Sequence, residues 1–592
     1  MDAAISIRDL SFTYLKAQQP ALQDITVDVE PGLVTAFVGQ VGSGKSTLFR
    51  IMNGLIPAIF PGKLDGEVMV AGQNVKGKDT AYLAQHINLV FDDPVLQIVS
   101  LTVEEDVAFG PANLNLPRQE VLDRVASALE RVGLRGYEKR DPRSMSGGEQ
   151  QLLALAGILA MRPRIIALDE PVAMLDPLGK GRMLDAVREL KDTFGATILI
   201  AESGSDIEEI CGFSDRMVLM HEGRILARGT PEEVFAQREL VAQSHLKIPQ
   251  VTRICYQLDA SMFGKGVPVT REATRRLIAS LIDERGHRLE LDEVDEWART
   301  CRNPTRPEGA VPIVEIKNVQ HTFPTDPPVH ALKGITLDIL PGDFVVLLGQ
   351  NGSGKTTLSF HLVGVEKPTN ADATIVVDGV NVVRGPLSET VRHINYLFQN
   401  PANQLFCQSF GEEVMFGPKA LGASPEEAER RGREALRQVG LEDQWDYFAL
   451  SMDKSKEALL SVATLLAMDP AVLIADEPTG GLDYASGEKV MKVLQELNEQ
   501  GRTIIAITHD MELAVKYAKR IVILRYGELW MDGSPREIFC QPEKLAETRL
   551  SPPQVTLLGQ DLMSYGYPNN IMSVEEFMEL TEKALSGTGR EA

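Results

Sequence analysis

Two stretches, GQVGSGKST at Gly39–Thr47 and GQNGSGKTT at Gly349–Thr357, constrain this 592-residue chain more than anything else in it. Each follows an apolar run (TAFV, VVLL) and opens a segment of helical character. A strand that turns through glycines into a helix curls successive backbone N–H groups around one point, with the helix N-terminus adding partial positive charge. In the spacing G-x-x-x-x-G-K-[ST] the lysine neutralises β- and γ-phosphates and the hydroxyl ligates Mg²⁺. One match in a long chain can be chance; two at equivalent places in a repeat cannot. The candidate phosphate-binding residues are therefore Gly39, Gln40, Val41, Gly42, Ser43, Gly44, Lys45, Ser46 and Thr47, and Gly349, Gln350, Asn351, Gly352, Ser353, Gly354, Lys355, Thr356 and Thr357, with Ser46 and Thr356 on the metal.

The repeat runs the length of the chain. IRDLSFTY (7–14) answers IKNVQHTF (316–323), TVEEDVAFGP answers SFGEEVMFGP, GTPEEVF answers GSPREIF, and IPQVT (248–252) answers PPQVT (552–556). That last pair makes most of the segment after residue 236 a C-terminal extension of the first copy. The expected domains are residues 1–240, an extension and linker at 241–305, 306–545, and a second extension at 546–592. The joint is placed in the polar, proline-containing CRNPTRPEGAVP (301–312). Each extension is expected to close with a helix, packed on its own copy or, as the alternative, making a contact between the two copies: Leu277, Ile278, Leu281 and Ile282 recur at helical spacing in one, and SVEE from Ser573 has capping-box form in the other.

RIIALDEP and AVLIADEP are buried-type strands ending in two acids. Asp169 and Asp476 are placed to reach Mg²⁺ through water. Glu170 and Glu477, one residue on, can polarise an attacking water.

Phosphate loop, SGGE turn and LDEP strand in this order resemble an ATP-binding-cassette ATPase over nearly all of both copies. The resemblance implies an α/β fold of two tandem P-loop NTPase domains, each with a helical subdomain, that bind ATP and Mg²⁺ and pair head to tail within the chain. Each ATP would lie between the phosphate loop of one half and the LSGGQ-type turn of the other, with Tyr14 or Phe323 stacked on adenine. FQNPANQLF, TVEEDVAFGPANLNLP and PPQVT are more narrowly similar to energy-coupling-factor ATPases, which power uptake of vitamins and transition-metal ions. That likeness implies two membrane partners, a transmembrane coupling subunit and a substrate-binding subunit, the former docking on the stretches Phe91–Pro111 and Phe398–Pro418 at the cytoplasmic face.

Against the family pattern the two copies differ. The second keeps Gln399 and His509 as companions of Glu477, where the first has Asp92 and Ser203. The first keeps Ser146, Gly147, Gly148 and Glu149, where the second has Asp453, Lys454, Ser455 and Lys456. Head-to-tail pairing collects every loss in one interface. One intact site (Lys355, Thr356, Gln399, Asp476, Glu477 and His509, facing Ser146–Glu149, with Asp176 nearby) is expected, beside one that holds nucleotide and turns it over poorly.

Bulk composition narrows the role. A net charge of −23 opposes general binding to nucleic acid, which disfavours the alternative of a tandem-cassette factor acting on ribosomes. Cassette ATPases of DNA repair would carry long coiled coils or cysteine-rich zinc modules; neither is visible. The five scattered cysteines, without a C-x-x-C pair, suit a reducing cytosol. No uncharged apolar run nears the roughly 18 residues of a membrane span, and MDAAISIRDL lacks the apolar core of a secretory signal. The expectation is an ATP-hydrolysing peripheral subunit of an importer.

Overall fold

The computed structural model describes residues 3–173, 175–259, 263–264, 266–300, 309–325, 328–448 and 452–586. Most of the expected joint (301–308), Met174 and Ser451 lie outside the described residues. The chain divides into two compact units, Met1–Thr274 with Asp483–Ala485, and Arg275–Leu482 with Ser486–Ala592.

In the first unit the strands are β1 (Ile5–Tyr14), β2 (Leu22–Val29), β3 (Val34–Val38), β4 (Gly62–Val70), β5 (Gln73–Asn74), β6 (Ile87–Val90), β7 (Ile165–Asp169), β8 (Thr197–Glu202), β9 (Arg216–His221) and β10 (Arg224–Gly229). They form an antiparallel sheet of order β2-β1-β4-β5 and a six-stranded sheet of order β10-β9-β3-β8-β7-β6. β3, β7 and β8 are buried at every position, as strands covered on both faces must be. The inner face of β1 (Ile5, Ile7, Leu10, Phe12) packs on Phe37, Phe49 and Ile51. Helices Val103–Asn113, Arg118–Arg131 and Gly147–Met161 pack on one another as the helical subdomain.

The second unit repeats this with β11 (Val314–Phe323), β12 (Val329–Ile339), β13 (Phe344–Leu348), β14 (Thr374–Val377), β15 (Val380–Asn381), β16 (Ile394–Leu397), β17 (Val472–Asp476), β18 (Thr503–Ile507), β19 (Arg520–Arg525) and β20 (Glu528–Gly533). The orders are β12-β11-β14-β15 and β16-β17-β18-β13-β19-β20. Its subdomain is built from Phe410–Ala420, Pro425–Gln438 and Lys454–Ala467. One topological fact positions each site. β8 lies between β3 and β7, and β18 between β13 and β17, all parallel. Whatever follows β8 or β18 is thereby wedged between the phosphate loop and the acid pair, at the carboxyl edge where parallel sheets bind ligands.

The extensions repeat as well. Helices Gln250–Gln257 and Gln554–Asp561 each bury one threonine whose hydroxyl bonds a carbonyl, Thr252 to Pro268 (2.9 Å) and Thr556 to Ile571 (2.5 Å). Ile278, Leu281 and Ile282 are buried on helix Arg271–Arg285, as their spacing predicts. Thr274 on that helix meets Cys255 of its own copy (3.8 Å), and both expected packings have contacts. The chain beyond it bonds to the second copy's extension: His287 N–H to Ala584 O (2.9 Å), Leu289 N–H to Tyr565 O (3.0 Å), and Tyr565 hydroxyl to Asp283 (2.9 Å). The reason is that helix Val574–Leu585 leaves carbonyls open at its C-terminus, and residues 287–289 supply N–H groups to the Ala584 carbonyl and to Tyr565. The capping box at Ser573 is half formed. Ser573 Oγ accepts from Glu576 N–H, but the Glu576 carboxylate takes Met572 N–H and Arg536 instead.

Trp297, 1% exposed on helix Leu291–Thr300, lies under the Arg536 guanidinium in this seam. Trp297→Ala is expected to destabilise the second unit by about 3–5 kcal/mol. In urea melts followed at probes in each unit, the transition of the second unit should shift and that of the first should hold.

Candidate nucleotide sites

In the second unit the loop leaving β13 turns sharply. A Cβ at Gly349 would sit 2.4 Å from Leu524 O, and one at Gly354 would sit 2.7 Å from Ala331 O; both have positive φ, so only glycine fits. Lys355, 7% exposed, donates to Gly349 O (2.6 Å) and Gln350 O (3.0 Å), which holds its ammonium across the loop. Asn351 to Thr357 line a cleft of about 160 Å³ together with Gln399, Asp476, Glu477, Ile507 and His509. Strand order accounts for this convergence. His509, two residues beyond β18, comes within 3.3 Å of Glu477 Oε1 through Nε2. Glu477 adopts φ 47° and bonds its N–H to Ile507 O (2.9 Å). Thr356 Oγ1 donates to Asp476 Oδ2 (3.4 Å), and Tyr396 donates to the same oxygen. Burial raises the Asp476 carboxyl above its ordinary pKa, while Tyr396, Lys355 and Thr356 pull it back. Gln399 is exposed on the cleft wall, whereas Gln404 is held by Ser461 O and Thr464.

The first unit builds the same frame with different contents. Lys45 donates to Gly39 O (2.5 Å), Gln40 O (2.9 Å) and Ser43 Oγ (3.3 Å). Gln97 is spent on Phe91 N–H and Leu89 O, so it does not stand in for Gln399. Register proves the Ser203–His509 equivalence, because Ala201 pairs with Asp169 as Ile507 pairs with Asp476. The preceding position then holds Glu202 where the second copy has Thr508. Glu202 is fully buried. Its Oε1 accepts from Gly204 N–H (2.7 Å) and Asp206 N–H (3.0 Å), and its Oε2 has no hydrogen-bond partner. Burial, then the Asp206 charge, pushes Glu202 up to about 7. Burial and Glu202 hold Glu170 well above the carboxylate range, and burial carries Asp169 to about 6. Burial lowers the Lys45 ammonium, and Glu170, Asp169 and Glu202 raise it.

The two signature turns also differ physically. Ser146 caps helix Gly147–Met161 in a full capping box with Glu149, whose other oxygen accepts from Tyr137 (3.0 Å). Asp453 caps Lys454–Ala467 through Lys456 N–H (2.9 Å) and pairs with Lys456 Nζ (3.6 Å). An aspartate cap needs no glycine; both helix starts carry a carboxylate, Asp453 itself in one and Glu149 in the other, so the physical difference is the loss of the two glycines. Asp176 caps Pro177–Phe194. Tyr14 and Phe323 end β1 and β11 half-buried, with Tyr14 bonded to Thr47 (3.0 Å) and Phe323 edge-on to His321 (4.5 Å).

Sequence reasoning missed Glu202 and Tyr396. The signals were there: an acid closing an otherwise apolar strand in ILIAES, and INYLFQ against INLVFD.

The residues fit a magnesium nucleotide. The loop offers backbone N–H groups, a lysine and Ser353, whose buried Oγ has no protein hydrogen-bond partner. Thr356 and Asp476 would supply the few oxygen groups typical of Mg²⁺ that rides on phosphates. Such a frame, a P-loop sheet flanked by an antiparallel sheet and a three-helix subdomain, is a nucleotide-binding cassette, here in tandem. The family model described as ABC transporter matches residues 22–173 and 332–480. A protein of Caldanaerobacter subterraneus named as an ABC transporter ATP-binding protein is 36% identical over 98% of this chain and 99% of its own. One of the same name from Methanosarcina acetivorans is 34% identical over 95% and 91%. CbiO1 of Clostridium perfringens, described as part of the ABC transporter complex CbiONQ, is 33% identical, with a TM-score of 0.36 over 42% of this chain and 98% of that one. The chain belongs to the ABC transporter ATP-binding family: it is an ATPase with two cassettes that bind ATP with Mg²⁺. No helix among the described residues is long and apolar enough to cross a membrane.

Glu477→Gln and His509→Ala are each expected to lower steady-state ATPase by about 10²–10⁴-fold, while Glu170→Gln lowers it only slightly; equal damage from the two glutamate changes would mean two working sites. A second expectation concerns pH. Glu202 binds a proton in the folded state at pH values where the unfolded chain has released it, so it makes stability fall as pH rises from about 4.5 to about 7. Glu202→Gln keeps the acceptor and removes the charge. Urea melts of the first unit should then show a higher midpoint at about pH 8 and a shallower pH slope than wild type.

Proposed function

We propose that the chain is the energy-coupling ATPase of an importer of the energy-coupling-factor type, taking up a vitamin, a vitamin precursor or a transition-metal ion. The two cassettes pair within the chain, and one hydrolytic site uses the second copy's phosphate loop. The observation that carries the asymmetry is the 3.3 Å contact of His509 with Glu477, against Ser203 and the extra buried Glu202 in the first copy.

Bound MgATP supplies the phosphoryl group and its charge-neutralising ion. Lys355 and the loop N–H groups hold the phosphate end, and Thr356, Asp476 and Gln399 face the metal side. Glu477 takes the proton of the attacking water, and His509 orients that water and the terminal phosphate oxygens. The first copy lends Ser146–Glu149, where the capped helix start keeps its glycines. Water adds to phosphorus, the bond to ADP breaks, and phosphate and a proton leave.

Coupling is assigned to the surfaces after each FQNP-like stretch. Val95, Leu96, Val99, Leu101 and Phe109 are exposed in the first unit, and Phe406, Phe416 and Phe398 in the second. Phe406 and Phe416 meet edge to face at 4.8 Å beside Glu412 and Lys419, an apolar floor with a charged rim. Such a patch suits an apolar helix end of a transmembrane coupling subunit, which would hold the chain at the cytoplasmic face of the membrane.

Coexpression with such a partner should bring the chain into the membrane fraction and support uptake. Phe406→Asp with Phe416→Asp should return it to the supernatant with nucleotide binding intact. Cosedimentation with ribosomes instead would overturn the importer reading in favour of a translation factor.

A further inference from the structure

Tyr396 touches the metal-side carboxylate of the second copy and belongs to none of the motifs above. Its ring, 8% exposed, is clamped between Phe360 (centroids 5.3 Å apart) and Phe398 (5.1 Å), and its hydroxyl donates to Asp476 Oδ2. A carboxylate oxygen only accepts, so the phenol hydroxyl is the donor in this pair. Terminal rotation of a carboxylate is soft. A donor fixed on Oδ2, the oxygen that Thr356 Oγ1 also reaches (3.4 Å), removes that freedom for a carboxylate that lines the cleft.

The first copy supplies an internal comparison. Leu89 pairs with Ala167 in the register in which Tyr396 pairs with Ile474, so the two occupy one position. Leucine fills that core place, 5% exposed, without a hydroxyl, and Asp169 Oδ1 is left with no hydrogen-bond partner. Filling space therefore does not require the phenol, and what the hydroxyl adds is its bond to Asp476.

We propose that Tyr396 is a positioning residue for magnesium in the second copy's site, its hydroxyl fixing the Asp476 carboxylate that would meet the ion's water shell. This rests on the reading that Asp476 serves the metal, and the experiment separates the two. Equilibrium binding of Mn²⁺ to the full chain with a non-hydrolysable ATP analogue is followed by the electron paramagnetic resonance of free Mn²⁺. A Lys45→Ala background lets the second site report. Tyr396→Phe keeps the ring, and Tyr396→Leu reproduces the first copy. Both should weaken Mn²⁺ binding by about three- to tenfold, the size of an ordinary net hydrogen bond. Metal-free affinity for the analogue in EDTA should not change. Asp476→Asn is the reference, and it should weaken Mn²⁺ more. Unchanged Mn²⁺ binding in Tyr396→Phe, with Asp476→Asn impaired, overturns the role of Tyr396 alone. Unchanged binding in Asp476→Asn overturns both. An equal loss of analogue binding in EDTA shows Tyr396 to be a packing residue and also overturns the proposal.

Discussion

Everything in each cassette is arranged around an ammonium and a carboxylate buried at the carboxyl edge of a parallel sheet. Lys355 and Asp476 are 7% and 5% exposed, Lys45 and Asp169 5% and 1%. Taking such groups out of water costs several kcal/mol each unless partners replace the lost hydration. The fold meets that cost with groups only this topology can deliver: loop carbonyls at the end of the central strand, a hydroxyl at the start of the following helix, and backbone N–H groups held by left-handed glycines. A phosphate chain and its ion complete the neutralisation. The affinity for nucleotide and the shape of the loop are thus two consequences of one electrostatic requirement.

The same requirement makes the two copies unequal. In the second, the group wedged between loop and acids is an imidazole, neutral or cationic, beside Glu477. In the first it is Ser203, preceded by a third carboxylate, Glu202, buried like Asp169 and near enough to Glu170 to raise it. Adding a negative charge there drives the neighbouring acids toward their protonated forms, and a protonated Glu170 cannot take a proton from water. The retained glutamate in the first copy is therefore weaker evidence for catalysis than its motif suggests.

What was legible in the sequence follows from which features are local. The glycine loops, the strand-end acids, the repeat and the capped helix start at Ser573 depend on a few neighbouring residues, and local chemistry sets them. The pairing of Ser203 with His509 was also readable, since both sit at a fixed offset from an aligned strand. Three features were not. The Tyr396–Asp476 bond joins residues 80 apart across adjacent strands. The weight of Glu202 appears only once β8 is known to lie between β3 and β7. The first copy's tail joining the second copy's extension depends on carbonyls left open at the end of helix Val574–Leu585, and no pattern in residues 286–289 announces it.

Fusion of the two cassettes gains a physical reason on the head-to-tail reading. Two first copies paired together would set good SGGE turns against loops backed by Asp92, Glu202 and Ser203. Two second copies would set good catalytic groups against Asp453-capped turns without glycine. Only the mixed pair assembles one complete site, and free halves with similar surfaces would sample all three pairings. A covalent connection holds unlike halves at an effective concentration on the order of millimolar, so the mixed pair is favoured without any need for strong discrimination at the interface. Once that pairing is assured, selection no longer has to keep both sites alike, and the losses can settle in one of them.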